Sequence, residues 1–159
     1  VGVVLDADLD TPPQERFVSI RDRLIEIKVL TSSPTELLRP GQVTETNPRV
    51  GIFVLPDNVS QGTLESLLIE CADLNYPTLL AAARALVGSI RPSDFRGGDL
   101  AEFSKNAGVD KATVSCVASV LKPGKAVQNS IQDNRWVHAS AFDLPRIAAF
   151  DAFITQLLT

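Results

Sequence analysis

Val1-Gly2-Val3-Val4-Leu5-Asp6-Ala7-Asp8-Leu9-Asp10 opens the chain: five apolar or small residues, then acids at every second position. An unbroken apolar run rich in β-branched residues predicts a strand buried on both faces of a parallel sheet. One other stretch reads equally well that way, Val50-Gly51-Ile52-Phe53-Val54-Leu55, which stops at Pro56-Asp57-Asn58. Between the two, Thr11-Pro12-Pro13-Gln14 offers a hydroxyl N-cap, proline in the first turn and glutamine three residues after the cap. Phe17, Ile20, Leu24 and Ile27 then recur at helical spacing, with Arg16, Arg23 and Glu26 left for the wet side. Strand, amphipathic helix, strand is the pattern of an α/β fold. It predicts residues 1–6 and 50–55 as adjacent or near-adjacent parallel strands, with the 12–27 helix packed on one sheet face.

Residues 29–48 read as irregular, with a small hairpin around Arg39-Pro40-Gly41-Gln42, where proline then glycine suits a type II turn. Beyond the second strand the chain is mostly helical. Leu64, Leu67, Leu68 and Cys71 form one stripe; Leu79, Leu80, Ala83, Leu86 and Val87 form another after Pro77. Residues 88–99 read as a loop, and 109–121 as a helix stopped by Pro123-Gly124. A last helix from about Asp143 is expected to bury Ile147, Phe150, Ile154 and Leu157. No internal repeat interrupts this, so residues 1–159 read as one domain whose residues 100–159 form its helical C-terminal part.

The 159 residues are 45% hydrophobic and 21% charged, which is a globular composition and excludes a disordered chain. No apolar run nears the ~20 residues that span a bilayer, and no signal-peptide pattern opens the chain, so a membrane is not an expected partner. Cys71 and Cys116 both fall in apolar helical patterns and read as buried thiols of a reducing, cytoplasmic setting, with a disulfide between them as the alternative. A net charge of −4 excludes a surface coated for nucleic acid but not a local basic cleft. The chain contains no methionine and two strands make too small a sheet to stand alone. Further strands are therefore expected from upstream sequence or from a partner chain, which also leaves a homo-oligomer open.

Chemistry is expected where the first strand ends. Residues i and i+2 of a strand project to one face, so Asp6 and Asp8 converge if the strand persists to its tip. Ligands of parallel α/β sheets bind beyond the carboxyl ends of the strands, where this pair lies. Two close carboxylates repel, and a hard dication relieves the repulsion; Mg²⁺ (or Mn²⁺) typically takes one or two carboxylates and keeps several waters. The plainer alternative is that the acids end a strand and Asp10 or Thr11 caps a helix. The second strand, if parallel, brings Asp57 and Asn58 to the same edge, although both are also ordinary turn residues. Glu65 would follow in the first turn of the next helix, a position the helix dipole favours in any case. Lys111, Lys122 and Lys125 could meet phosphates or merely be solvated. The single histidine, His138, reads as structural, without an assignable serine or cysteine. Trp136 reads as core or interface, and Gly97-Gly98 lacks the pattern of a phosphate loop.

Val3-Val4-Leu5-Asp6-Ala7-Asp8-Leu9-Asp10, Arg21-Asp22-Arg23-Leu24, Gly51-Ile52-Phe53-Val54-Leu55-Pro56-Asp57-Asn58 and Gly62-Thr63-Leu64-Glu65 together carry a resemblance. In this order they resemble a Toprim-like family of unknown function, related to the Toprim domains of OLD-type nucleases. Asp110-Lys111-Ala112 and Pro123-Gly124-Lys125 are similar to its downstream segments. The resemblance implies a Toprim-like parallel sheet flanked by helices, with Asp6 and Asp8 as the catalytic, Mg²⁺-holding pair. It also implies a glutamate on an earlier strand, which has no counterpart here; the chain starts at what would be the third such strand.

Three enzyme classes and one binding class follow. The leading expectation is Mg²⁺-dependent phosphodiester chemistry of nuclease type on nucleic acid. A haloacid-dehalogenase-like phosphatase would use Asp6 as nucleophile, but the threonine expected two residues after Asp8 is Asp10, with Thr11 one place late. Glycosyltransferases also place Asp-x-Asp on a nucleotide-sugar metal. The fourth reading is a Toprim-like module, its metal site degenerate, kept for binding or assembly.

Overall fold

The structure, a computed structural model, describes residues 1–30 and 39–159. Its elements in order are β1 (Gly2–Asp6), α1 (Pro13–Glu26), β2 (Gly51–Leu55), α2 (Leu64–Asn75), α3 (Pro77–Ser89), α4 (Asp99–Phe103), α5 (Gly108–Leu121), α6 (Val127–Asp133) and α7 (Pro145–Leu158). Short 3-10 turns occupy Pro92–Asp94 and Ala139–Asp143. The chain packs as two compact units, Val1–Leu64 with Pro145–Thr159, and Glu65–Leu144. No helix among the described residues is long and apolar enough to cross a membrane.

In the first unit β1 and β2 are parallel neighbours, with Gly2 opposite Gly51 and Asp6 opposite Leu55. The expected strand pair is therefore present, and the fold is α/β with a largely helical C-terminal half. Alternation along the strands sorts their side chains between two helices. Ile52 and Val54 share one core with Ala7, Phe17, Leu24, Leu30 and Val50, and Val3 and Leu5 pack against it. Burying side chains such as Phe17, Ile52 and Val54 contributes about 1.5–3 kcal/mol each. Gly51 and Phe53 project to the other face, where the Phe53 ring lies 5.2 Å from that of Phe150 and 5.3 Å from that of Phe153. Helix α7 can approach this face closely because the opposed pair Gly2 and Gly51 has no side chains. A Cβ on Gly51 would lie 2.7 Å from Phe153 Cε2, and one on Gly2 would overlap Leu157 Cδ2.

Burial on both faces holds for β2, all five of whose residues are buried, but not for β1, where Val4 is 42% exposed. The difference follows from pairing: β2 lies between β1 and the segment 41–44, while β1 has β2 on one edge. The turn at residues 39–42 forms as expected, with Gln42 N–H donating to Arg39 O (3.3 Å) and Gly41 at φ +79°. From it Gly41 N–H donates to Ile52 O (2.7 Å) and Thr44 N–H to Val50 O (2.8 Å). The part of the irregular stretch at 31–38 lies outside the described residues. Helix α1 starts one residue later than read. Its cap is Pro12, whose carbonyl accepts from Glu15, and the Thr11 hydroxyl instead donates to Asp10.

The second unit is helical. Helix α5 packs against α3, α4 and α6, and Leu67, Leu68, Cys71, Leu80, Val87, Val117 and Trp136 are among its buried residues. Leu64 and Leu86, assigned above to apolar stripes, are instead about half exposed. The α6 turn was not legible, since residues 127–133 carry too few apolar residues for a stripe. In α7 the fully buried residues are Ile147 and Phe153; Phe150, Ile154 and Leu157 are half-buried.

Candidate functional site

The register of β1 on β2 brings acidic residues to one edge. Ala7 N–H donates to Leu55 O (3.1 Å), which ends the ladder, and Asp8 follows on one strand while Pro56 and Asp57 follow on the other. The strand does not persist through Asp8. Asp8 adopts φ +65°, a left-handed conformation that aspartate tolerates better than most residues, and forms an isolated antiparallel bridge with Gly62. Alternation therefore holds through Ala7, which joins the Phe17 core, and breaks at Asp8, so the convergence of Asp6 and Asp8 expected of an extended strand does not follow from the backbone.

Each acid has its own partner. Asp6 Oδ1 accepts from the backbone N–H of Leu64, the first residue of α2 (2.8 Å). The Asp8 carboxylate is ion-paired with the Arg16 guanidinium through Nη2, and both side chains are half-exposed. Arg16 Nε is buried and has no hydrogen-bond partner among the described residues. Asp57 Oδ1 accepts from Val59 N (3.0 Å) and Ser60 N (2.6 Å), while its Oδ2 accepts from Arg146 Nε (2.9 Å). Partial burial pushes the Asp57 carboxyl up, but the two backbone donors, the Ser60 hydroxyl and Arg146 outweigh it and hold it below its ordinary value.

Asn58, at φ +69°, turns its Oδ1 back onto Val54 N (2.8 Å). Asp10 is exposed beside Thr11. Glu65 stands in the first turn of α2 and Lys111 on α5; both belong to the second unit. Among the described residues no three of His, Cys, Asp and Glu are grouped as a cation site, so Asp6, Asp8 and Asp57 are not gathered into one three-acid cluster. The donor set still fits Mg²⁺ or Mn²⁺ in kind. It consists of oxygens only, and one or two carboxylates suffice for such an ion. A groove of about 610 Å³ next to Asn58 has Gln14, Arg39, Gln42, Val43, Val59 and Gln156 on its walls; Asp6, Asp8 and Asp57 do not line it.

The acids are legible in the sequence, whereas the cations paired with them are not. Arg16 had a faint signal, one helical turn into α1 and eight residues from Asp8. Arg146 had none, since 89 residues separate it from Asp57. In the second unit, His138 does meet a serine: Ser140 Oγ lies 3.0 Å from Nδ1 and 3.4 Å from Nε2. An oxygen in line with the Nδ1 lone pair would be much farther from Nε2, so Oγ sits over the ring and is poorly placed to give up its proton. His138 Nε2 is hydrogen-bonded to Asn75 Oδ1, and Nδ1 caps the Ala139–Asp143 turn by accepting from Ser140 N. The histidine is a structural cap. Trp136 is fully buried, with its carbonyl accepting from Asn75 Nδ2 (2.9 Å).

Residues 1–159, the whole chain, match the model of a family described as "Protein of unknown function (DUF3226)". No curated protein and no solved structure matches the chain.

Proposed function

The chain belongs to the DUF3226 family, and we propose that the carboxyl edge of its β1–β2 pair is a Mg²⁺-dependent phosphodiester site acting on nucleic acid. The observation that carries the reading is the parallel register, Asp6 opposite Leu55, which sends Asp8 and Asp57 off the sheet at the same edge. That is where α/β sheets bind ligands. Asp6 and Asp8 would hold the dication; Asp57, whose oxygens accept from Val59 N, Ser60 N and Arg146, leaves the sheet at the same edge. A bound Mg²⁺ supplies neutralisation of charge developing on a phosphate and a more acidic water. The rest falls to the chain's own groups. Arg16 on Asp8 and Arg146 on Asp57 bring two guanidiniums to this edge, which would offer forked donors to non-bridging phosphate oxygens. On this reading a strand of nucleic acid would run past the groove that holds Arg39 and Asn58. The ordered motifs, Asp6-Ala7-Asp8 and Pro56-Asp57-Asn58 among them, resemble a Toprim-like family of unknown function, and the match of Asp6 and Asp8 to the Toprim metal pair supports the same chemistry.

Calorimetry with Mn²⁺ on the full chain, with Asp6→Asn and Asp8→Asn, tests the reading, together with DNA and RNA cleavage in Mg²⁺. Binding that both substitutions weaken is expected. Metal binding without cleavage of either polymer would leave the cation site and remove the nuclease assignment.

A second reading is favoured by the pairing itself: Asp8 with Arg16, Asp57 with Arg146 and Asp6 with an amide can all be ties that hold a binding or assembly module together. No Mn²⁺ binding, with stability loss in both variants, would select it.

A further inference from the structure

The Arg16 guanidinium is only partly used. Its Nη2 reaches Asp8, yet its Nε is buried with no hydrogen-bond partner among the described residues. Buried donors are nearly always satisfied, and one left over beside a candidate site calls for an acceptor. Charge counting points to which acceptor. At rest Asp8 and Arg16 neutralise each other. With a dication on Asp6 and Asp8, the two carboxylates are balanced, and the positive charge of Arg16 is released. A phosphodiester carries one negative charge and two non-bridging oxygens, which the adjacent Nε and Nη2 donors of a guanidinium match as a fork. We propose that Arg16 is a substrate-positioning residue with two exchangeable partners: Asp8 when the site holds no cation, and the phosphodiester oxygens when a divalent ion holds Asp8. This rests on the cation reading given above and adds to it a competition between arginine and metal for one carboxylate.

The competition makes an unusual demand on a single substitution. Arg16→Gln removes the rival cation, so the full chain should bind Mn²⁺ more tightly, by about five-fold, the upper end of what a half-exposed ion pair contributes. The same change should weaken binding of a dithymidine phosphodiester, measured with Mn²⁺ saturating, by at least about ten-fold. Arg16→Lys keeps a point charge against Asp8 but loses the fork. It should bind Mn²⁺ as the unaltered chain does, yet still bind the dinucleotide more weakly, and it carries the test if Arg16→Gln does not fold. A residue with only a structural role would not move the two affinities in opposite directions. If Arg16→Gln leaves Mn²⁺ affinity unchanged or lowers it, or if both variants bind the dinucleotide normally, the exchange is overturned while the cation site stands. If the unaltered chain shows no Mn²⁺ binding at all, the cation site and the exchange fall together.

Discussion

Replacing Gly51 by alanine probes how α7 is seated, and through α7 the position of Arg146 against Asp57. The added Cβ would sit 2.7 Å from Phe153 Cε2, 3.1 Å from its Cζ and 3.0 Å from Val43 Cγ2. Overpacking of this kind costs about 1–3 kcal/mol. Alanine returns about 0.4–1 kcal/mol by restricting the unfolded chain. The net expectation is a loss of about 1–2 kcal/mol, or a fall in Tm of roughly 2–8 °C for a chain of this size. Phe153→Leu deletes the two ring atoms that the new Cβ would strike. In that background Gly51→Ala should cost about 1 kcal/mol less, a coupling well above the 0.3–0.5 kcal/mol within which independent sites add. Urea titrations of the four proteins give the cycle. Equal costs in both backgrounds would show that the glycine notch does not set the approach of α7.

Asp57→Asn should destabilise the chain at neutral pH, because the carboxylate there accepts from two backbone amides and Arg146. Since the folded carboxyl is held below its usual value, its contribution is complete above the unfolded value of about 3.9 and is lost as pH falls through the folded one. The gap between variant and unaltered chain in urea should therefore narrow below about pH 4. Burial, with a smaller effect of Glu70, pushes the Cys71 thiol up to about 11, so at pH 8 a thiol reagent should label half-buried Cys116 first and reach Cys71 only on unfolding. Gly41→Ala should cost about 1–3 kcal/mol by thermal melting, because Gly41 holds φ +79° in the turn beside β2 and its Cβ would meet the Asn58 amide.

The strand–helix–strand core was legible because apolar run length and helical spacing are local signals, and Val50 to Leu55 could hardly be anything but a central strand. The turn at Arg39 to Gln42 was legible for the same reason, from proline and glycine in adjacent places. The candidate acids were found, but their geometry was not. The alternation rule assumes extended backbone, and Asp8 leaves it at φ +65°. Nor could local patterns reveal that Phe153 would join Ile147 as a deeply buried residue of α7 while Leu157 stays half-buried, since that depends on Gly51 opening space across the chain. The arginine partners were lost to the same distance in sequence. Of the two, only Arg16 lay close enough to its acid to be guessed.

Asp6 receives the first amide of α2 on the same carboxylate that would hold a cation. Removing that side chain therefore does two things at once, and Asp6→Ala would confuse a lost ligand with a frayed helix start. Asparagine separates them. Its amide oxygen can still take the Leu64 N–H, while the negative charge that attracts a dication is gone. A cation lost from Asp6→Asn with the Leu64 amide still protected from solvent exchange would be lost for want of charge alone.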